Sequence, residues 1–363
     1  MTTSSRIEWL GRAALAALAI IVALLIIMIA YQARAAVPVQ NADLAAGNAA
    51  QAKNEYAAAN DGFGRACDNG NAEACFQLGR NHYNGFGVPK NAPQSALLYQ
   101  KSCDGGFGKS CFNLGRQSED GDGLARDLAH STALYERACD LGIAIGCVNA
   151  GSAWSQGDGV IQDKARALAL FGKACAAKVG AGCYGIGGII LRGESVPKDA
   201  AKAAAQFKKS CDLGFMTGCS DYGALLINGQ GVTKDAKAGL TLLRKACEGA
   251  SWAGCTNLGN AVYAKRDYAA ANSAFTKACD GGDAGGCSAL GALAEQGQGG
   301  AKDVASAITF YTKACGSGNG PACTRGGVLL AGGEGVAKDL PKAASLLTRA
   351  CDASEFGSCA LYG

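Results

Sequence analysis

Residues 91–126, NAPQSALLYQKSCDGGFGKSCFNLGRQSEDGDGLAR, contain the signals that decide the fold. Seven residues separate Cys103 from Cys111 in this stretch, and the same spacing recurs along the chain of 363 residues. The 18 cysteines form nine such pairs with none left over. Their first members stand 36 residues apart, except for one step of 32 between Cys247 and Cys279. A fixed period of this length predicts a helical solenoid.

Three interpretations of the cysteine pairs compete. Zinc sites space their ligands two to four residues apart and draw on histidine, but this gap is seven and the chain has only His82 and His130. Haem attachment requires C-x-x-C-H, which is absent, so no metal or cofactor is predicted. Disulfides remain, and the repeat symmetry selects local pairing in an exported chain. The predicted bridges are Cys67–Cys75, Cys103–Cys111, Cys139–Cys147, Cys175–Cys183, Cys211–Cys219, Cys247–Cys255, Cys279–Cys287, Cys315–Cys323 and Cys351–Cys359.

Each repeat reads as a pair of helices. Twelve residues before the first cysteine stands an Asn or Asp, which predicts the N-cap of a helix. Four residues before the cysteine a large side chain should face the core, and two residues before it a basic residue complements the end of the helix dipole. A glycine three residues after the cysteine predicts the left-handed C-terminal cap. The N-cap column is Asn91, Asp127, Asp163, Asp199, Asp235, Asp303 and Asp339.

The repeats extend beyond the nine cysteine pairs at the N-terminus. Residues 43–67 match residues 255–279 at 13 of 25 positions, which predicts a cryptic short first repeat without a cysteine on its first helix. At the other end the chain stops at Gly363, four residues after Cys359, so the last helix should be truncated. We therefore expect an all-α protein, an α/α solenoid of about nine helix pairs forming a right-handed superhelix over residues 43–363.

The N-terminus carries an uncharged apolar run at residues 13–30, preceded by Arg6 and Arg12. The run and the following Ala33-Arg34-Ala35 fit either a signal peptide, cleaved so that residues 1–36 are lost, or an uncleaved anchor. Both alternatives place the remainder outside the cytoplasm, in a periplasm, either soluble or tethered to the inner membrane. The net charge is +4, about +2 without the leader, so no basic field for nucleic acid is expected.

These motifs resemble the Sel-1-like repeats, a family related to the tetratricopeptide repeats. The resemblance covers roughly residues 43–363 and rests on Leu-Gly as at Leu114-Gly115, on loops such as Gly229-Gln230-Gly231-Val232, and on Lys245-Ala246-Cys247. The cysteine spacing is similar to the cysteine-rich Hcp-type branch, whose members are described as β-lactamase-like or penicillin-binding. The resemblance implies an α/α solenoid and adaptor roles in membrane-associated, cell-envelope and secretory assemblies.

The favoured function is a non-catalytic scaffold that binds a protein or peptide of the cell envelope along the concave face. Arg80, Arg116 and Trp154, on the first helix of their repeats, are the candidate binding residues. The alternative is a β-lactamase-like hydrolase or a protein that binds penicillin or peptidoglycan fragments, and whether the chain is an enzyme stays open. The only S-x-x-K motif, Ser195 to Lys198, occupies the loop position of Gly87 to Lys90, so we interpret it as a loop and name no catalytic residue.

Overall fold

The computed structural model describes residues 42–352, and every regular element in that range is an α-helix. The chain divides into two compact units, residues 1–162 and residues 163–363. The described helices of unit 1 are α1 (42–52), α2 (Tyr56–Asp68), α3 (Ala72–Asn84), α4 (Ala92–Asp104), α5 (Gly108–Asp120), α6 (Leu128–Asp140) and α7 (Ala144–Gln156).

Unit 2 continues the same pattern with helices of 12 or 13 residues. They are α8 (Lys164–Ala176), α9 (Gly180–Arg192), α10 (Ala200–Asp212), α11 (Met216–Asn228), α12 (Ala236–Glu248), α13 (Trp252–Tyr263), α14 (Tyr268–Asp280), α15 (Ala284–Gln296), α16 (Val304–Gly316), α17 (Gly320–Gly332) and α18 (Leu340–Asp352). In each unit an odd-numbered helix packs against the even-numbered helix that follows it, and that helix packs against the next odd-numbered one. We call the odd-numbered helices A helices and the even-numbered ones B helices. This arrangement confirms the predicted α/α solenoid of helix pairs.

The B helices begin where the polar column of the sequence predicts. Asp127 accepts a hydrogen bond from the backbone N–H of His130 at 2.9 Å, and Asn91 accepts one from that of Gln94 at 3.0 Å. Asp267 caps α14 in the same way, after a turn of four residues in which Arg266 has a φ of 65°. These bonds satisfy N–H groups that the first helical turn leaves without a partner.

The core is formed by the large side chains four residues before each first cysteine. Each of them is 6% exposed or less: Phe63, Tyr99, Tyr135, Phe171, Phe207, Leu243, Phe275, Tyr311 and Leu347. The ring of Tyr135 lies against Gly115 of the preceding A helix, where an added Cβ would come within 2.9 Å of the ring. The glycine of the Leu-Gly motif therefore makes room for the core ring of the next B helix.

The loops between A and B helices approach the preceding repeat closely. Gly121 ends α5 with a φ of 73°, and Gly123, two residues later, has a φ of 86°. An added Cβ on Gly123 would lie 2.4 Å from the carbonyl carbon of Ala92, at the start of α4. Ser195 occupies the equivalent position in the loop before α10, where it is exposed and keeps a positive φ of 63°.

Disulfides link each B helix to the A helix that follows it. Eight bridges join described cysteines, from Cys67–Cys75 to Cys315–Cys323, with Cα atoms 4.4–4.8 Å apart. They confirm the local pairing. The predicted ninth bridge, Cys351–Cys359, includes a cysteine outside the described residues. A closed loop of this length stabilises the fold by about 2–3 kcal/mol in the chain-entropy account.

Two sequence predictions fall on residues that the structure does not describe. The apolar run at residues 13–30 and the chain after Asp352 both lie outside residues 42–352. Within the described range no helix has the length and apolar character required to cross a membrane.

Candidate binding cavities on the A helices

A polar cavity of about 210 Å³ lies between α3 and α5 in unit 1, and Tyr99 of α4 also lines it. We call it the α3–α5 cavity. It brings together Arg80 and Arg116, two of the three predicted binding residues, which stand at the same position of consecutive repeats. The lining residues are Arg80, Tyr83 and Asn84 from α3, Tyr99 from α4, and Asn113, Arg116, Gln117 and Asp120 from α5.

Trp154, the third predicted residue, does not line this cavity. Its side chain is half-buried on α7, and its Nε1–H donates to Oε1 of Glu136 on α6 at 2.8 Å. It stands seven residues after the second cysteine of its repeat, where Leu226 and Leu330 belong to the core. A binding role for Trp154 stays a prediction.

The two arginines of the α3–α5 cavity have no ion pair within the described part of the chain. No salt bridge of 4.0 Å or less joins Arg80 or Arg116 to a carboxylate there, and Nε of Arg80 is buried without a hydrogen-bond partner. A buried cationic donor without a partner costs free energy, so the site favours an anion. Burial raises the pKa of Tyr99, whose side chain interacts with Asn113 and Ser95, so its hydroxyl stays protonated at neutral pH.

The floor of the cavity carries a buried amide. Gln117 is 4% exposed, and its Nε2 donates to the carbonyl of Ala92 at 3.5 Å. Its Oε1 has no donor within the described residues. At the rim, a hydrogen bond to Asp122 raises the pKa of Tyr83, so this hydroxyl too stays protonated. The cavity therefore presents two cations, the carboxylate of Asp120, hydroxyl groups and one unsatisfied acceptor.

One repeat further along unit 1 a second cavity, of about 180 Å³, lies between α5 and α7. We call it the α5–α7 cavity. Glu119, Tyr135 and Asn149 line it, and they lie 36 residues after Tyr83, Tyr99 and Asn113. The hydroxyl of Tyr135 donates to Oε2 of Glu119 at 2.6 Å. Burial and this carboxylate together raise the pKa of Tyr135 well above its usual range.

Unit 2 has a cavity of about 250 Å³ at the same repeat positions, between α11 and α13. Every residue that lines it lies 144 residues, or four repeats, after a residue of the α3–α5 cavity. Ala224 replaces Arg80, Leu243 replaces Tyr99 and Asn260 replaces Arg116. The cavity lining is Ala224, Ile227, Asn228, Leu243, Asn257, Asn260, Ala261 and Ala264. The cavity therefore recurs at the same positions of the repeat, while the side chains that line it change from charged to apolar and amide.

A pair of tyrosine and glutamate recurs in unit 2 at the positions of Tyr135 and Glu119. Tyr311 donates its hydroxyl to Oε2 of Glu295 at 2.9 Å. The guanidinium of Arg325 on α17 also contacts this carboxylate, with Nε 3.0 Å from Oε2. The hydrogen bond from Arg325 holds the pKa of Glu295 below its usual range. At this place a carboxylate sits between a core tyrosine and an arginine.

Sequence reasoning missed one feature of these cavities. Two core tyrosines, Tyr99 and Tyr135, were interpreted as packing alone but also line cavities. A signal was present, because tyrosine occupies this column only at Tyr99, Tyr135 and Tyr311, and only tyrosine carries a hydroxyl there.

The structure provides no constellation for hydrolysis around Ser195. Ser195 and Lys198 are both exposed in the loop before α10. Within residues 42–352, no three Asp, Glu, His or Cys side chains are grouped so that they could hold a metal ion.

The chain belongs to the Sel1 repeat family. The model of the Sel1 repeat matches residues 72–107, 108–143, 144–179, 180–215, 218–251, 284–319 and 321–355, more than half of the chain. Sel1 repeat proteins serve generally as scaffolds for protein interactions. The matches begin at residue 72, so the assignment of residues 43–67 as a first repeat stays a prediction.

Solved structures of Sel1 repeat proteins are similar to this chain. One is c5321, a protective antigen of uropathogenic Escherichia coli with an SLR fold: 25% identity, TM-score 0.63, covering 88% of this chain and 78% of that one. A Sel1 repeat protein from Oxalobacter formigenes has 22% identity and a TM-score of 0.57, covering 82% and 88%. Helicobacter pylori cysteine rich protein B has 31% identity over 36% of this chain and 93% of its own, with a TM-score of 0.31. A search of curated proteins finds no significant match.

Proposed function

We propose that this protein is a non-catalytic scaffold of the bacterial cell envelope, which binds a protein or peptide partner along its A helices. The observation that carries the proposal is the recurrence of one cavity position, at α3–α5, α5–α7 and α11–α13. A surface that repeats the same recess suits a partner that extends over several repeats.

The size of the cavities supports a macromolecular partner. Each holds about 180–250 Å³, below the roughly 300–1,000 Å³ of pockets that enclose a small ligand. Several shallow recesses, each receiving one side chain, fit an extended segment better than a single antibiotic or cell-wall fragment.

The proposed compartment is the periplasm. The disulfides indicate an oxidising compartment outside the cytoplasm. The apolar run at residues 13–30 would supply the export signal, and, where it is not cleaved, a tether to the inner membrane.

Site-specific photo-crosslinking in intact cells tests the proposal. A photoreactive residue replaces Asn84 on α3 or Asn260 on α13, and the matched controls carry it at exposed positions of B helices, Leu97 on α4 and Thr241 on α12. We expect a crosslinked protein of discrete mass from the A-helix positions and none from the controls.

Equal crosslinking from both helix types, or none from the A helices, would contradict the scaffold role of this face. Hydrolysis of nitrocefin by the purified protein, lost on replacement of one residue with the fold intact, would instead favour the β-lactamase-like alternative.

A further inference from the structure

We propose that the α3–α5 cavity binds the carboxylate of an acidic side chain within an extended peptide segment of the partner. The proposal rests on the scaffold function above and specifies what one of its recesses receives. Four features of unit 1 and unit 2 support it.

The charge of the lining matches a single negative charge. Arg80 and Arg116 contribute two positive charges, and Asp120 contributes one negative charge, so the lining carries a net charge of +1. A carboxylate neutralises this charge, whereas a phosphate dianion would leave an excess of negative charge beside Asp120. A planar guanidinium also matches the two oxygens of a carboxylate.

The chain itself shows how a carboxylate fits this position of the repeat. In unit 2, Glu295 lies between the hydroxyl of Tyr311 and the guanidinium of Arg325. In the α3–α5 cavity Tyr99 stands at the position of Tyr311, but Tyr83 replaces the glutamate. Asn113 stands at the position of Arg325, and Arg80 and Arg116 stand at the positions of Ala292 and Val328. The cavity therefore has a tyrosine hydroxyl and two guanidinium groups from other positions, and it lacks a carboxylate at the position of Glu295.

The buried amide favours a peptide over a free anion. Oε1 of Gln117 is an acceptor without a donor on the cavity floor. A peptide segment has backbone N–H groups next to its side chains and can donate one to this oxygen. Inorganic phosphate and sulfate have no such adjacent N–H donor.

The neighbouring cavity limits the segment to one acidic residue. Glu119 and Asp158 line the α5–α7 cavity, and none of its lining residues is Lys, Arg or His. Packed helices lie about 10 Å apart, which corresponds to about three residues of extended chain. A second acidic residue at that distance would meet like charge, and a basic residue would meet opposite charge.

The test is selection of random 12-residue peptides, displayed on phage, on the purified oxidised full chain. Three baits are compared: the unchanged chain, the double variant Arg80→Gln/Arg116→Gln, and Arg137→Gln. Arg137 is an exposed B-helix arginine that pairs with Asp104, so its variant controls for loss of one positive charge outside the cavity. Circular dichroism and the count of free thiols establish that all three are folded.

We expect selected peptides to share one aligned Asp or Glu with the unchanged chain and with Arg137→Gln, and to lose it with the double variant. In the best peptide, synthesised with both ends blocked, Glu→Gln should weaken binding about tenfold to the unchanged chain and less than twofold to the double variant. A second Glu three residues away should weaken binding, and Lys there should strengthen it.

The proposal fails if no acidic position is enriched, or if Glu→Gln weakens binding equally in both proteins. Tighter binding of a phosphoserine peptide, or a requirement for a free C-terminal carboxylate, would also overturn it. If A-helix crosslinks persist in the double variant at unchanged yield, the scaffold function stands and only this assignment is wrong.

Discussion

Replacing Gly123 by Ala should destabilise unit 1 by about 2–4 kcal/mol. The φ of 86° alone costs an alanine about 1 kcal/mol, since its Cβ crowds the carbonyl oxygen in the left-handed region. The new Cβ would also lie 2.4 Å from the carbonyl carbon and 2.5 Å from the oxygen of Ala92. Because both neighbours are backbone atoms, α4 or the loop must shift, which costs a further free energy of about 1–3 kcal/mol.

Gly106 provides a matched control for the contact. It has a φ of 85°, close to that of Gly123, but an added Cβ there would meet no atom within 4 Å. Gly106→Ala should therefore cost only the backbone strain, about 1 kcal/mol. The entropy that each substitution removes from the unfolded chain is the same and cancels in the comparison.

Urea unfolding of the oxidised full chain, followed by circular dichroism, measures the difference. Gly123→Ala should lower the midpoint more than Gly106→Ala with the same dependence on denaturant. Equal losses for the two variants would refute the close contact between the loop and α4, and with it this explanation of the glycine.

Two further changes test local features of unit 2. Ser195→Gly should raise the free energy of unfolding by about 0.5 kcal/mol, because relief of the positive φ exceeds the extra entropy of glycine in the unfolded chain. Glu295→Gln should lower stability at pH 7, because it removes the carboxylate paired with Arg325. The folded pKa of Glu295 lies below its unfolded value, so the loss should be complete above about pH 5, shrink as the pH falls through the folded pKa, and vanish below it.

Each result has a clear contrary outcome. A loss of stability in Ser195→Gly would mean that the serine side chain makes a stabilising contact in its loop. A difference between the unchanged chain and Glu295→Gln that grows in acid would mean that the glutamate is protonated in the folded state. Both are measured by urea unfolding, the second at a series of pH values.

The fold was largely predictable because one period fixes many positions at once. The N-cap at Asp127, the core ring at Tyr135 and the left-handed Gly142 each follow from their distance to Cys139, and the structure confirms all three. Local rules for caps, dipoles and disulfides agree with the repeat at most steps, with exceptions such as Lys178 and Ala250 at the left-handed position, which is why a single sequence sufficed.

The cavities were only partly predictable, because they depend on packing between helices of different repeats. Arg80 and Arg116 were identified as polar residues of the A helices, but the sequence did not show that they face one recess. The buried position of Gln117, next to Arg116, could not be anticipated either, since an amide there replaces the apolar residue found in most other repeats. The helical period alone does not fix the rotation of a helix about its own axis to within one residue.

The short span of every disulfide bears on how the chain reaches its native covalent state. Cys103 follows Cys75 by 28 residues, whereas Cys75 follows its own partner by only eight. If the chain crosses the membrane N-terminus first, each pair is complete before the next cysteine arrives. An oxidase acting in order of emergence would then form the native bridges directly, so maturation should need a source of oxidising equivalents but no isomerase to correct wrong pairings.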